Sequence, residues 1–147
     1  GNLRNWWTKA DHEGYEARTA KLVAQYGAYS PLPGYHLNGK LTLGENIADN
    51  AGIEIAWKAY QISLGGKPAP TIGGLTGAQR FYIAFGQVWA EEMRPEEQIR
   101  RAKIDPHSPG RFRCDGAASN QAAFYDAFGV KPGDGMYLPP ESRVSIW

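Results

Sequence analysis

Cysteine is almost missing from this chain: Cys114 is the single one in 147 residues. That excludes an internal disulfide framework and a thiolate zinc cluster within the chain, and leaves Cys114 to be read as a small, half-buried side chain. An excess of charge is missing too. Sixteen basic residues face fifteen acidic ones, for a net charge of +1. With neither a basic run nor an acidic tail, nothing points to a nucleic-acid partner or to contact with a membrane surface. No run of about 18 apolar residues occurs, as a membrane-spanning helix would require. The first residues, GNLRNWW, lack both the basic start and the apolar stretch of a signal peptide, and there is no initiator Met. The opening therefore reads as cut from a longer polypeptide or as an expression scar at Gly1. No G-x-S-x-G, no Gly-rich phosphate loop, no internal repeat and no strand pattern of any length is found.

What is present suits one helical domain over residues 1–147. An apolar share of 42% is enough to bury a core. The fold expected is mainly α, an irregular helical domain with long ordered loops. A first helix is expected from Asn5 to Tyr26, with Thr8 to Asp11 spaced as a capping box and Trp6 and Trp7 among its packing residues. Pro31, Pro33, Gly34 and Gly39 then impose a loop. A second helix should run from Thr42, whose spacing to Glu45 fits another capping box, to Leu64. A third should open at Thr76 and Gln79 and reach about Met93 as the central core helix, and a short fourth should start at Pro95. IDPHSPGRFR, residues 104–113, is expected as a rigid, exposed loop braced by Pro106 and Pro109 and pinned by Ile104 and Phe112. Ser119 or Asn120 should cap a last helix ending at Gly129, with Val144, Ile146 and Trp147 docking on the core.

The second helix poses a placement problem. Glu45 and Asp49 lie roughly 40° apart on a helical wheel, in line with Gly52, Ala56 and Tyr60. Asn46, Asn50, Glu54, Lys58 and Gln61 read as its solvent stripe, and Ile47, Ala51, Ile55, Ala59 and Ile62 as an apolar stripe beside the acids. Two acids one turn apart on a cleft-facing strip need a cation or several hydrogen bonds to stay ionised. Glu45 alone could be no more than half of a capping box. With Asp49 it could serve a metal, one carboxylate binding the ion and the other holding the ring N–H of a histidine ligand.

The histidines narrow the choices. His12, in DHEGYE, imitates the start of H-E-x-x-H, but Glu16 stands where the second His should fall, so it reads as a solvent-facing helix residue. His36, between loop glycines, reads as a structural hydrogen bonder. His107 shares the proline-braced loop with Arg113. An imidazolium and a guanidinium there suit an oxyanion and a peptide carbonyl, although surface loops also hold such pairs idly.

TLGENIADNAG with HLNG just before it, FGQVWAEEMRPE, DPHSPGRFR, and SNQAAFYDAF through RVSIW follow one another in this chain. In that order they resemble, over nearly its whole length, the C-terminal part of the neprilysin and endothelin-converting-enzyme family of zinc metallopeptidases. The resemblance implies part of the catalytic lobe of a larger, two-lobed α-helical enzyme. It implies that Glu45 is a zinc ligand and Asp49 the acid behind it that orients a zinc-bound histidine. It also implies that His107 stabilises the tetrahedral oxyanion, and that Arg113 binds a backbone carbonyl of a peptide substrate. The family's H-E-x-x-H, which carries two zinc histidines and the general-base Glu, does not occur here; the resemblance places it upstream of the segment matching Asn2 to Trp7.

One ligand of three implies an inactive chain that binds zinc weakly if at all, and that needs the remainder of the same protein as partner. Self-association through a surface left uncovered is a further expectation. A competing reading is a non-catalytic helical binding module that retains the peptidase fold; a third is a metal site built from His36, Glu45 and His107. The vertebrate cysteines near the C-terminus do not occur, which implies a bacterial-type member, exported to the periplasm or secreted.

Overall fold

The computed structural model describes residues 3–146, which form six helices. They are α1 (Lys9–Gly27), α2 (Leu43–Ser63), α3 (Gly77–Val88), α4 (Pro95–Ile104), α5 (Gly110–Ala118) and α6 (Ala122–Phe128), followed by one 3-10 turn at Pro140–Ser142. Only two isolated bridges, Leu32 with Tyr35 and Ile72 with Leu75, stand in for sheet among the described residues. The mainly α expectation holds, and no helix here is long and apolar enough to cross a membrane.

Caps set two of the helix starts. Thr8 and Asp11 form the expected capping box, so α1 begins at Lys9 rather than at Asn5. That leaves Trp6 exposed, while Trp7 packs edge-on against Tyr15 at 5.0 Å between ring centroids. Thr76 and Gln79 form the second box, opening α3. This helix stops at Val88, five residues short of Met93. It is also peripheral: Gly77 and Tyr82 are buried, whereas Ile83 and Val88 face out. Gly129, at φ +65°, closes α6 in the left-handed conformation that glycine adopts without cost. The start of α6 falls after Gln121, not at Ser119 or Asn120, because both of those are turned inward.

The central pair is α2 and α5. One cluster joins Leu22 and Tyr26 of α1 to Leu37, Ile47, Phe112 and Val144, and the other joins Ile53 to Tyr82, Ala117, Ala118, Phe124 and Tyr125. Residues of α2 and α5 enter both. Small residues let α5 approach: a Cβ on Gly116 would lie 2.5 Å from the Tyr26 ring. The loop expected over residues 104–113 gives way to α5 from Gly110 onward, a helix with no counterpart in the sequence analysis. Proline restricts the residue before it and cannot sit in a helix interior, but it places no bar on a helix starting just after it. Pro109, at φ −55° and ψ 147°, is the residue from which α5 departs. Phe112 is buried as expected, whereas Ile104 is exposed and pins nothing. Val144 is buried and Ile146 packs on the core; Trp147 lies outside the described residues.

The polar stripe assigned to α2 is wrong at its N-terminal half. Asn46 and Asn50 are 0% and 2% exposed. Helical spacing aligns them with Ile53, and their amides are matched. Asn46 donates to Thr42 Oγ1 at 2.9 Å and accepts from Ser108 Oγ at 2.9 Å. Asn50 donates to the Val144 carbonyl at 2.7 Å and accepts from Gln121 Nε2 at 3.2 Å. A buried amide is tolerated when its donors and acceptors are satisfied, and this pair ties α2 to the loop before α5 and to the C-terminal segment. The opposite face carries Ala48, Gly52, Ile55, Ala59 and Ile62, all exposed, so the apolar stripe runs onto open surface beyond Ile47.

Candidate active site

The N-terminal turn of α2, the loop 105–109 and the first turn of α5 meet at one place. Thr42 caps nothing with its side chain. Its hydroxyl donates to the Asn38 carbonyl and accepts from Asn46, so the Thr42–Glu45 capping box does not form. The Glu45 carboxylate is therefore free of the backbone and 40% exposed. It faces the His107 ring and the Arg113 guanidinium, with His107 Nε2 at 3.4 Å and Arg113 Nη2 at 3.6 Å.

Asp49, one turn further, is engaged more tightly. Arg113 donates from Nε to Asp49 Oδ2 at 2.6 Å and from Nη2 to Oδ1 at 2.7 Å. The Asp49 side chain is 9% exposed and that of Arg113 16%. The two parallel bonds are the fork geometry that guanidinium and carboxylate favour, and they push the Arg113 pKa above its ordinary value. In this chain the cation that balances the buried acid is thus an arginine. Arg113 projects from the first turn of helix α5 rather than from the rigid loop expected over residues 104–113.

His107 is oriented from behind. Asp105 Oδ1 accepts from the backbone N–H of His107 at 2.9 Å and contacts its Nδ1 at 2.8 Å. The carboxyl of Asp105 is held below its ordinary pKa, first by that backbone N–H and then by the ring. An ionised carboxylate only accepts, so Nδ1 carries the proton and Nε2 is the atom that points toward Glu45.

All four residues singled out from sequence, Glu45, Asp49, His107 and Arg113, are brought together. Three neighbours escaped that reading. Asp105 precedes His107 by two residues, the spacing of an Asx turn, so a signal was present in DPH. Trp89 lies under the Arg113 guanidinium at 4.1 Å from the ring centroid, and Glu91 accepts from the Gly110 N–H at 2.6 Å. Both follow α3 and carry no local signal. A cavity of about 160 Å³ opens beside them, lined by Trp89, Glu91, Arg101, His107 and Arg113. His12 is an exposed side chain of α1, in contact with Asn5 and Trp7, and His36 is exposed. Cys114 is half-buried, and burial pushes its thiol up to about 11.

The model of peptidase family M13 matches residues 1–144. Endothelin-converting enzyme 1 of Bos taurus is 42% identical over 151 residues, covering 100% of this chain and 20% of the relative. Human neprilysin is 40% identical over 152 residues, again 100% of this chain and 20% of the relative. Among solved structures, the zinc metalloprotease Zmp1 of Mycobacterium tuberculosis, in complex with an inhibitor, superposes with a TM-score of 0.93. Identity is 49%, over 99% of this chain and 23% of that one. PepO of Lactobacillus rhamnosis gives 0.82 at 37% identity, over 99% and 22%. The chain spans about a fifth of the length of the curated relatives it matches.

The zinc that these names imply can be tested against the residues present. A catalytic zinc takes three protein ligands and keeps a fourth position open. Among the described residues no three His, Cys, Asp or Glu side chains converge in that way, so His36, Glu45 and His107 do not form a site. Asp49 is held by Arg113, and Nδ1 of His107 by Asp105. Glu45 makes only the longer contacts to His107 and Arg113, at 3.4 and 3.6 Å. These residues do not hold a zinc ion by themselves.

Proposed function

The chain belongs to peptidase family M13, and from that premise we propose that it is one part of a zinc metalloendopeptidase that cleaves small peptides. The observation that carries this reading is the convergence of Glu45, Asp49, His107 and Arg113 at the junction of α2 and α5. Glu45 is one zinc ligand, and Asp49, which meets Arg113 here, orients a histidine ligand brought by another segment of the same protein. When bound, zinc polarises the scissile carbonyl and activates water.

The residues of this chain position and stabilise. His107, fixed by Asp105 through Nδ1, presents Nε2 toward the oxygen on which negative charge develops, and donates to it when that nitrogen carries a proton. Arg113 keeps Nε and one Nη2 hydrogen on Asp49, and Nη1 makes no hydrogen bond among the described residues. That nitrogen is available to a substrate carbonyl. By itself the chain, with one ligand, is inactive and binds zinc weakly.

The test uses the full-length parent protein. Glu45→Gln lowers zinc occupancy and peptide hydrolysis together; a fully metallated, active variant removes Glu45 from the ligand set. His107→Ala lowers kcat by roughly 10²- to 10³-fold, the scale of one oxyanion donor, with zinc retained. An unchanged kcat refutes that role.

A further inference from the structure

We propose that Glu91 is a positioning residue for Arg113: it caps the N-terminus of α5 from outside the helix and so fixes where the guanidinium meets a substrate. The proposal rests on the peptidase reading above. Helix α5 starts without a side-chain cap of its own, since its N-cap residue is Pro109. The Pro109 carbonyl accepts from the N–H groups of Phe112 and Arg113 at 2.8 and 3.1 Å. Gly110 is left with an N–H that needs a partner. Glu91 Oε1 supplies it at 2.6 Å, placing a negative charge at the positive end of the helix.

The fit at this point is close. A Cβ on Gly110 would lie 2.5 Å from the Trp89 carbonyl oxygen and 3.0 Å from Glu91 Oε1, so the segment 89–91 lies directly against the first turn of α5. The same segment sets the Trp89 ring under the Arg113 guanidinium. Arg113, in that first turn, is thus constrained three ways: Asp49 along one edge, Trp89 on one face, and Glu91 through the backbone. Glu91 reaches the backbone of α5 and acts on Arg113 through that helix.

The experiment is made in the full-length parent with a fluorogenic peptide. Glu91→Ala is expected to lower kcat/KM about 5-fold, the scale of losing one N-terminal cap, while zinc content stays at the wild-type level. Glu91→Gln, which keeps an acceptor oxygen, stays close to wild type. In an Arg113→Met background, E91A has no further effect, because its influence runs through Arg113. An unchanged kcat/KM, a fully additive loss in that background, or a parallel loss of zinc overturns the proposal. Amide exchange at Gly110 and Arg113, measured in the same proteins, tests the cap apart from catalysis. Faster exchange in E91A supports it and unchanged exchange overturns it, even if the wild-type parent proves inactive and the peptidase reading falls. If E91A does not fold, Glu91→Asp, one methylene too short for Gly110, replaces it in every arm.

Discussion

Replacing Arg113 by Met in this chain removes the cation from the acidic strip of α2 while keeping most of the volume of the side chain. Asp49, at 9% exposure, then loses both charge-assisted hydrogen bonds, and Glu45 loses a neighbouring positive charge at 3.6 Å. Removing one partner of a largely buried, bidentate pair costs about 3–5 kcal/mol, most of it the penalty of stranding the other charge. Against a total stability of about 5–15 kcal/mol for a domain, that is a large share. At this size it corresponds to a drop in Tm of about 6–20 °C. Urea unfolding followed by circular dichroism measures it directly. Asp49→Asn in the same chain should recover much of the loss, because the uncompensated charge is then gone. A loss under about 1 kcal/mol in R113M, the scale of an exposed ion pair, or no recovery in the double variant, would show that Asp49 is solvated and that Arg113 does not hold α2 to α5.

Three further outcomes are expected. The Tyr82 hydroxyl is buried without a partner among the described residues, and burial pushes its pKa up to about 12. Its contribution is fully present below the ordinary tyrosine value of about 10 and is lost as pH rises through about 12. Tyr82→Phe should leave stability near neutral pH within about 1 kcal/mol of wild type and flatten the decline over that alkaline window. Tyr26, Tyr29 and Cys114, raised in the same direction, also contribute to the decline; urea midpoints with the same slope in both proteins would refute the role of Tyr82. Glu45→Gln in the isolated chain should shift Tm by less than about 2 °C, since no cap bond is lost; a larger fall would mean that the carboxylate supports the fold. The exposed stripe Ile55, Ala59 and Ile62 should make the isolated chain associate as concentration rises. Ile55→Glu with Ile62→Glu should return it to monomer in size-exclusion chromatography, and a wild-type monomer at high concentration would refute the idea.

Much of the local structure was legible because it is encoded locally. The capping boxes at Thr8 and Thr76, the Pro95 start and the Gly129 stop each depend on residues within one turn. The Thr42 box had the same spacing and did not form, because the Thr42 hydroxyl found partners in Asn38 and Asn46 instead. Asn46 and Asn50 read as solvent residues by their type. Their burial depends on Ser108, Gln121 and Val144, more than 60 positions away in the chain, arriving with matching donors and acceptors. Helix α5 was hidden for a related reason. Its sequence, GRFRCDGAA, has little helical amphipathicity, and what it needs is small residues against Tyr26 and a cap delivered by Glu91.

From the sequence alone came the mainly helical class, the two acids on one strip of α2 and the His107–Arg113 pair, since residue type and helical spacing are local properties. The family membership was legible there too, through the order of its motifs. Only the tertiary structure decided the partners: Arg113 on Asp49, Asp105 behind His107, Glu91 at the head of α5. Those contacts join segments whose spacing in sequence carries no information about their distance, and each depends on how α2 and α5 cross in the core.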